Sequence, residues 1–243
     1  MGISRREFLV SLAGTTGLAI FGGIGSIQGA SSKPIKLDYS KHSELYPVHD
    51  GTQYLVKDFS HLLKNKNLGL SPAMVENHLG LYRGYVEKVN NAEKQILAGD
   101  LNETAMKHLA FSLNGMALHD IYFSNMSSDS SKRSKSLNQA IDESFGSFDK
   151  YFSNLNAIAG KMPGWSITAL NLLNGKLINY GVSDHSANFP NFVIPILALD
   201  VYEHAYTMDF GADGKPRYLD VFGKIIDWDM VSRRYSATKK LLA

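Results

Sequence analysis

The hydrophobic and polar positions along the chain change rhythm near its middle. The stretch "LSPAMVENHLGLYRGYVEKVNNAEKQILAG" reads as a helix that Ser71 can cap, with Pro72 suited to the first turn and Gly99 following the end. A second helix runs from about Asn102 to Asn125, with Leu109, Leu113, Met116, Ala117 and Ile121 at three- and four-residue steps. The pair is expected to form an antiparallel hairpin. "SSDSSKRSK" (Ser128–Lys135) is a surface loop by composition, and a further helix is expected over Ser136–Ile158. After "KMPGW" the period shortens. "WSITALNLLNGKLINYGV" reads as two strands around an Asn174–Gly175 turn, and "NFVIPILALD" as a third. "RYLDVFGKIIDWDMVSRRYSAT" closes the chain as one helix. The fold class is therefore α+β: an N-terminal helical hairpin, then an α/β domain with a three-stranded antiparallel sheet and flanking helices. No internal repeat is visible.

The segment before the first helix changes the picture in another way. "SRREFLV" (Ser4–Val10) is a twin-arginine export signature, followed by a mildly apolar stretch that is short and glycine-rich for a membrane span. The expected organisation is a cleavable signal over 1–30, an extended arm over 31–60, the hairpin over 61–130 and the α/β domain over 131–243. Cleavage near Ala30 removes two Arg and one Glu, leaving the mature charge near +1. The expected location is periplasmic or otherwise exported, with the twin-arginine translocase as a transient partner and no membrane association after cleavage. That route carries folded proteins, often with a cofactor already inserted, which favours a metalloprotein.

Composition narrows the chemistry further. A net charge of +2 over 243 residues gives no reason to expect nucleic acid. The absence of cysteine excludes disulfides, thiolate zinc sites, iron–sulfur clusters and lipid anchoring at cysteine. Any metal must be held by nitrogen and oxygen. The apolar run "FVIPILAL" leads straight into "DVYEHAY", and a charged aspartate at the end of a buried strand is costly without a partner. Asp200 and His204 lie four residues apart, while His78 and His119 lie on the two hairpin helices, which can turn both inward. Three imidazoles and one carboxylate suit iron or manganese better than calcium or magnesium, and spacing leaves zinc open as well.

These residues carry a resemblance. "DVYEHAY" resembles the D-x-W-E-H-A-Y signature of the iron/manganese superoxide dismutases. "LGLSPAMVENHLGLYRGYVEKVNN" is similar to that family's first helix, and "NGMALHDIYFSNM" to its "WNHxFYW" segment. "AIDESFGSFDKYFSNL", "PGWSITALNLLNGKL" and "RYLDVFGKIIDWDMV" resemble further family blocks in the same order. The resemblance implies four metal ligands, His78, His119, Asp200 and His204, and a fifth from water or hydroxide. It implies one iron or manganese ion per chain. It places the gateway tyrosine at Tyr85, a tyrosine beside the ligands at Tyr122, and a tryptophan at Trp165. It implies a homodimer in which Glu203 bonds the partner's ligand histidine.

The chain also departs from the family pattern. The first helix is one residue short between His78 and Tyr85, so a gap placed upstream would put Asn77 at the ligand position; His78 is preferred because an amide is a poor replacement for imidazole. Tyr82 and Thr207 stand where the family has a histidine and a tyrosine that meet across the dimer interface. The glutamine that bonds the metal's solvent ligand comes from one of two places in the family, which are Gly115 and His185 here, so His185 is expected to replace it beside the space Gly115 leaves. Lys215 takes the place of a funnel arginine and Arg83 adjoins the gateway helix, both as positive charge for an anionic substrate. His42, His49, His61 and His108 are expected at the surface. The implied activity is disproportionation of superoxide, with Tyr85, His185 and Tyr122 as catalytic residues. An exported metal-binding protein of the same fold without turnover is the alternative.

Overall fold

In the computed structural model, which describes residues 44–129 and 131–242 apart from the side chain of Leu241, the chain first forms a hairpin closed by a carboxylate. Asp50 Oδ1 accepts the backbone N–H groups of Thr52 and Gln53 at 2.8 and 2.9 Å, a local turn that brings β1 (Val48–His49) antiparallel to β2 (Tyr54–Leu55). The expected signal peptide, its expected cleavage site, residues 31–43 of the arm and His42 lie outside the described residues. The described part of the arm is pinned down rather than simply extended. Asn90 accepts from Tyr54 N and donates to Tyr54 O, and Lys57 donates to buried Asp120 at 2.8 Å. Arg234 is fully buried and donates to the carbonyls of Leu45 and Ile196 and to the Asn125 side chain.

Among the described residues, one short helix, α1 (His61–Lys64), precedes the hairpin. Ser71 accepts from Met74 N and Pro72 starts α2 (Pro72–Leu97), as the sequence suggests. Asn102 caps α3 (Glu103–Ser124) by accepting from Ala105 N. His78 sits in the second turn of α2 and His119 near the end of α3, and they meet because the helices run antiparallel.

The helix expected over Ser136–Ile158 is two helices, α4 (Lys135–Phe145) and α5 (Phe148–Lys161). Gly146 ends the first with φ +85°, and Ser147 caps the second by accepting from Lys150 N. A three-stranded antiparallel sheet follows in the order β4-β3-β5, built from β3 (Trp165–Asn171), β4 (Leu177–Val182) and β5 (Val193–Asp200). Trp165 pairs with Asp200 across β3 and β5, so the indole is delivered to the end of the strand that Asp200 closes. Past β5 come a 3-10 turn at Glu203–Ala205 and α6 (Thr207–Phe210). The closing segment is also divided, into α7 (Lys215–Lys224) and α8 (Trp228–Lys239), where Asp227 caps the second helix and its N–H donates to Asn125 O. One apolar core runs from Val75 and Leu79 on α2, through Ile121 on α3, to Ile167, Leu197 and Phe222.

Candidate metal centre

Helices α2 and α3, the end of β5 and the 3-10 turn after it each deliver one donor to the same point. The donor atoms of His78, His119, Asp200 and His204 all lie within 4.8 Å of one another. Asp200 Oδ2 is 3.0 Å from His78 Nε2, 3.2 Å from His204 Nε2 and 3.6 Å from His119 Nε2. His119 and Asp200 have no exposed surface, His78 is buried, and only His204 reaches the outside, with 27 % of its side chain exposed. Asn77 is exposed and outside the cluster.

The orientation of each donor is fixed from behind. His119 Nδ1–H donates to Gly115 O at 2.6 Å, one helical turn back on α3, which leaves Nε2 as a bare lone pair. That Nε2 has no hydrogen-bond partner. Asp200 Oδ1 accepts from Tyr202 N at 2.9 Å, so Oδ2 is the oxygen turned to the histidines. Tyr218 OH donates to Asp200 O at 2.8 Å and is 3.0 Å from Tyr122 OH; with its one proton so used, it accepts from Tyr122. Tyr122 is buried with its ring 4.9 Å from that of His78.

The electrostatics favour a bound cation. Burial pushes the Asp200 carboxyl up, but the hydrogen bonds and fields of His204 and His78 outweigh it and hold it below the usual carboxylate range. Burial pushes His78 down, partly offset by Asp200, and pushes His119 well down, with His78 adding to the effect. Both imidazoles are therefore neutral and available as ligands. A lone pair, two further imidazoles and an ionised carboxylate converging in a dry pocket fit one borderline divalent or trivalent ion.

A second layer surrounds the ligands. His185 is 1 % exposed and neither ring nitrogen has a partner. Its ring lies 4.8 Å from Tyr85, 4.8 Å from Phe111, 5.8 Å from His119 and 5.9 Å from Trp165. Burial pushes it down to about 4, so it is neutral near pH 7. A Cβ on Gly115 would stand 2.8 Å from Tyr85 Cδ1 and 3.0 Å from His185 Nδ1, so those two rings occupy the space that glycine leaves. Tyr85 is half-buried and its phenol is raised by burial and by Asp200. Trp165 is fully buried with its ring 5.0 Å from that of His119.

Some side chains differ from expectation. Tyr82, which stands where the family has an interface histidine, is 1 % exposed and turned inward, with its hydroxyl 3.3 Å from Asp120 Oδ2. Arg83 pairs with Glu76 at 2.6 Å rather than standing free. Lys215 Nζ donates to Met162 O at 2.7 Å. Lys88, which no motif singles out, is exposed with its ammonium 5.3 Å from the centre of the Tyr85 ring. Tyr202 stacks on His204 at 5.2 Å, in the place of the tryptophan of the D-x-W-E-H-A-Y signature. His49 is partly exposed, and His61 and His108 are exposed. Glu203 is exposed beside His204.

Residues 133–234 match the family described as iron/manganese superoxide dismutases, C-terminal domain. The chain is 31% identical over 193 residues to the iron superoxide dismutase of Aquifex pyrophilus, spanning 73% of this chain and 90% of that protein. It is 32% identical over 170 residues to the manganese superoxide dismutase of Mycobacterium avium, and 34% identical over 173 residues to that of Mycolicibacterium smegmatis. Each of those two matches spans 66% of this chain and 82% of the relative.

Proposed function

The chain belongs to the iron/manganese superoxide dismutase family, and from that premise we propose that it is an exported superoxide dismutase with one iron or manganese ion per chain. The observation that carries the reading is the convergence of His78, His119, Asp200 and His204 on one buried point, with the His119 lone pair aimed at it. A bound iron or manganese ion supplies a one-electron couple, which lets one superoxide be oxidised to oxygen and a second be reduced, with two protons, to hydrogen peroxide.

The residues around it hold charge and protons. Asp200 supplies the anionic ligand that favours the oxidised ion, while the imidazoles of His78 and His119, held neutral by burial, add no charge. In this reading His185, its ring 5.8 Å from that of His119, bonds the solvent at the centre, and in the neutral state it can donate from one nitrogen and accept at the other. Tyr85 narrows the entrance and offers a phenol proton. Tyr122 donates to Tyr218, which in turn holds the Asp200 backbone, so its contribution is to keep that carboxylate in position.

The deciding experiment is metal analysis of the native protein together with a superoxide assay. The expected result is about one iron or manganese per chain and disproportionation that is lost on chelation and regained on reloading. Full loading without turnover would replace this reading with that of a metal-binding protein.

Export follows from "SRREFLV" at Ser4–Val10. Replacing Arg5 and Arg6 by Lys is expected to leave active enzyme in the cytoplasm; unchanged export would assign the leader to another route. A homodimer with Glu203 in the contact is part of the same proposal, supported by the exposure of Glu203 beside the one ligand that reaches the surface. Glu203→Ala is expected to weaken the dimer in sedimentation.

A further inference from the structure

We propose that Asn114 is a positioning residue for this reaction: its side-chain amide clips the loop that carries His185 onto α3 and thereby sets where the imidazole stands beside the metal centre. The inference rests on the reading of His185 given above.

Asn114 Nδ2 donates to the backbone carbonyl of His185 at 2.7 Å, joining residues 71 apart in the chain. The ring of His185 is not held by polar contacts, because among the described residues neither nitrogen has a partner. Its place therefore depends on its backbone and on the aromatic walls of Tyr85, Phe111, Trp165 and Tyr202. Within the loop, Asp184 Oδ1 accepts from Ser186 N and Ser186 Oγ. Those bonds shape a local turn without tying it to any other element. At the far end, Leu172 N donates to Phe192 O. Among the described residues, Asn114 makes the one side-chain hydrogen bond from α3 to the residues between β4 and β5.

Its position on the helix gives the contact its leverage. The next residue, Gly115, leaves room for the His185 ring and presents the carbonyl that orients His119. One stretch of α3 thus sets both a metal ligand and the neutral histidine behind it. A shift of the His185 backbone away from α3 would carry the imidazole away from the centre, with no polar contact of the ring to resist it. Placement of groups behind metal ligands typically changes affinity or activity by 10–100-fold.

The test uses the full mature chain with Asn114→Ala, Asn114→Asp, His185→Ala and the double variant Asn114→Ala/His185→Ala. Alanine is the better helix former, so loss of the fold is not the expected result of Asn114→Ala. Aspartate keeps the shape of asparagine but has no N–H to donate. Hydrogen exchange of the backbone amides of residues 183–192 in the metal-free protein is expected to rise about tenfold in both single Asn114 variants, while β5 stays protected. In the loaded protein, the reduction potential and the azide affinity are expected to shift in the same direction as in His185→Ala, and Asn114→Ala is expected to add nothing in the His185→Ala background. A potential unmoved by Asn114→Ala but moved by His185→Ala overturns the proposal and leaves the reading of His185 intact. An Asn114→Ala effect that persists undiminished in the double variant also overturns it. A potential and azide affinity unmoved by His185→Ala overturn that reading, and the proposal with it.

Discussion

His119 Nε2 and Asp200 Oδ2 face each other at 3.6 Å in a fully buried space, and no proton lies between them. The His119 proton is on the other nitrogen, held by Gly115 O, so a lone pair is turned toward an anionic oxygen. Such an arrangement is repulsive unless a cation occupies the gap. Metal and fold are therefore linked, and chelation is expected to lower the melting temperature by an amount that grows with the logarithm of the ion's affinity. His119→Ala and Asp200→Ala are each expected to abolish metal content and activity together. Full metal content in either variant, measured by elemental analysis, would remove that residue from the ligand set.

Gly115 and His185 share one space, which makes their substitutions separable. Gly115→Ala puts a Cβ 2.8 Å from Tyr85 and 3.0 Å from His185, so one ring must move, at a cost of about 1–3 kcal/mol. His185→Gln introduces no such clash at Gly115 and keeps a donor and an acceptor in a longer side chain. It is expected to retain metal while shifting the reduction potential and changing the iron-to-manganese activity ratio by about tenfold. Unchanged potential and ratio in His185→Gln would show that the imidazole does not act on the centre.

The legible parts of this molecule are those written in local pattern. Ser71 and Pro72 mark the start of α2, the Asn174–Gly175 pair marks the turn between β3 and β4, and the apolar run before Asp200 marks β5. The breaks at Gly146–Ser147 and Ile225–Asp227 were hidden because helical spacing of apolar residues resumes after each of them. The ligands were legible because two histidines on a hairpin and a carboxylate at the end of a buried strand are costly arrangements with few explanations. Asn114, Asp120 and Tyr218 were not, since each acts through a partner far along the chain and reads locally as an ordinary helix residue. Tyr82 stands where the family has an interface histidine, and the i+4 spacing that puts it on the face of His78 turns it into the core.

Lys57 and Asp120 form a buried ion pair at 2.8 Å, just behind the ligand helix. Burial raises the Asp120 carboxyl, with Lys57 pulling it back, and burial lowers the Lys57 ammonium. Lys57→Met strands the carboxylate and is expected to cost about 3 kcal/mol at pH 7, mostly recovered by adding Asp120→Asn. The sign with pH follows from the raised carboxyl. Its ionised form is penalised in the folded state above its unfolded pKa of about 4, so the deficit of Lys57→Met shrinks as pH falls toward that value. Denaturant midpoints at several pH values measure this. A deficit that is constant with pH would assign the loss to packing of the lysine stem.

In the proposed reading, with Tyr85 at the entrance, positive charge around it is unequally distributed. Arg83 is neutralised by Glu76 at 2.6 Å, and Lys215 is held by Met162 O and lies in the fields of Asp200 and Glu203. Lys88 is exposed, has no ion pair among the described residues, and places its ammonium over Tyr85. Tyr85 in turn packs 5.2 Å from the ring of His119, so of these three cations Lys88 combines freedom from an ion pair with direct contact to the entrance tyrosine. A small anion approaching Tyr85 meets this unneutralised charge. Lys88→Glu is expected to lower kcat/KM by roughly threefold at low ionic strength and to flatten or invert its dependence on salt. Lys88→Arg should preserve both, and Arg83→Gln should change little because its charge is already spent on Glu76. Metal content should stay the same in all three, which separates capture of the substrate from assembly of the centre. An equal loss of rate in Arg83→Gln, measured across a range of salt concentrations, would show that the general field rather than Lys88 guides the anion.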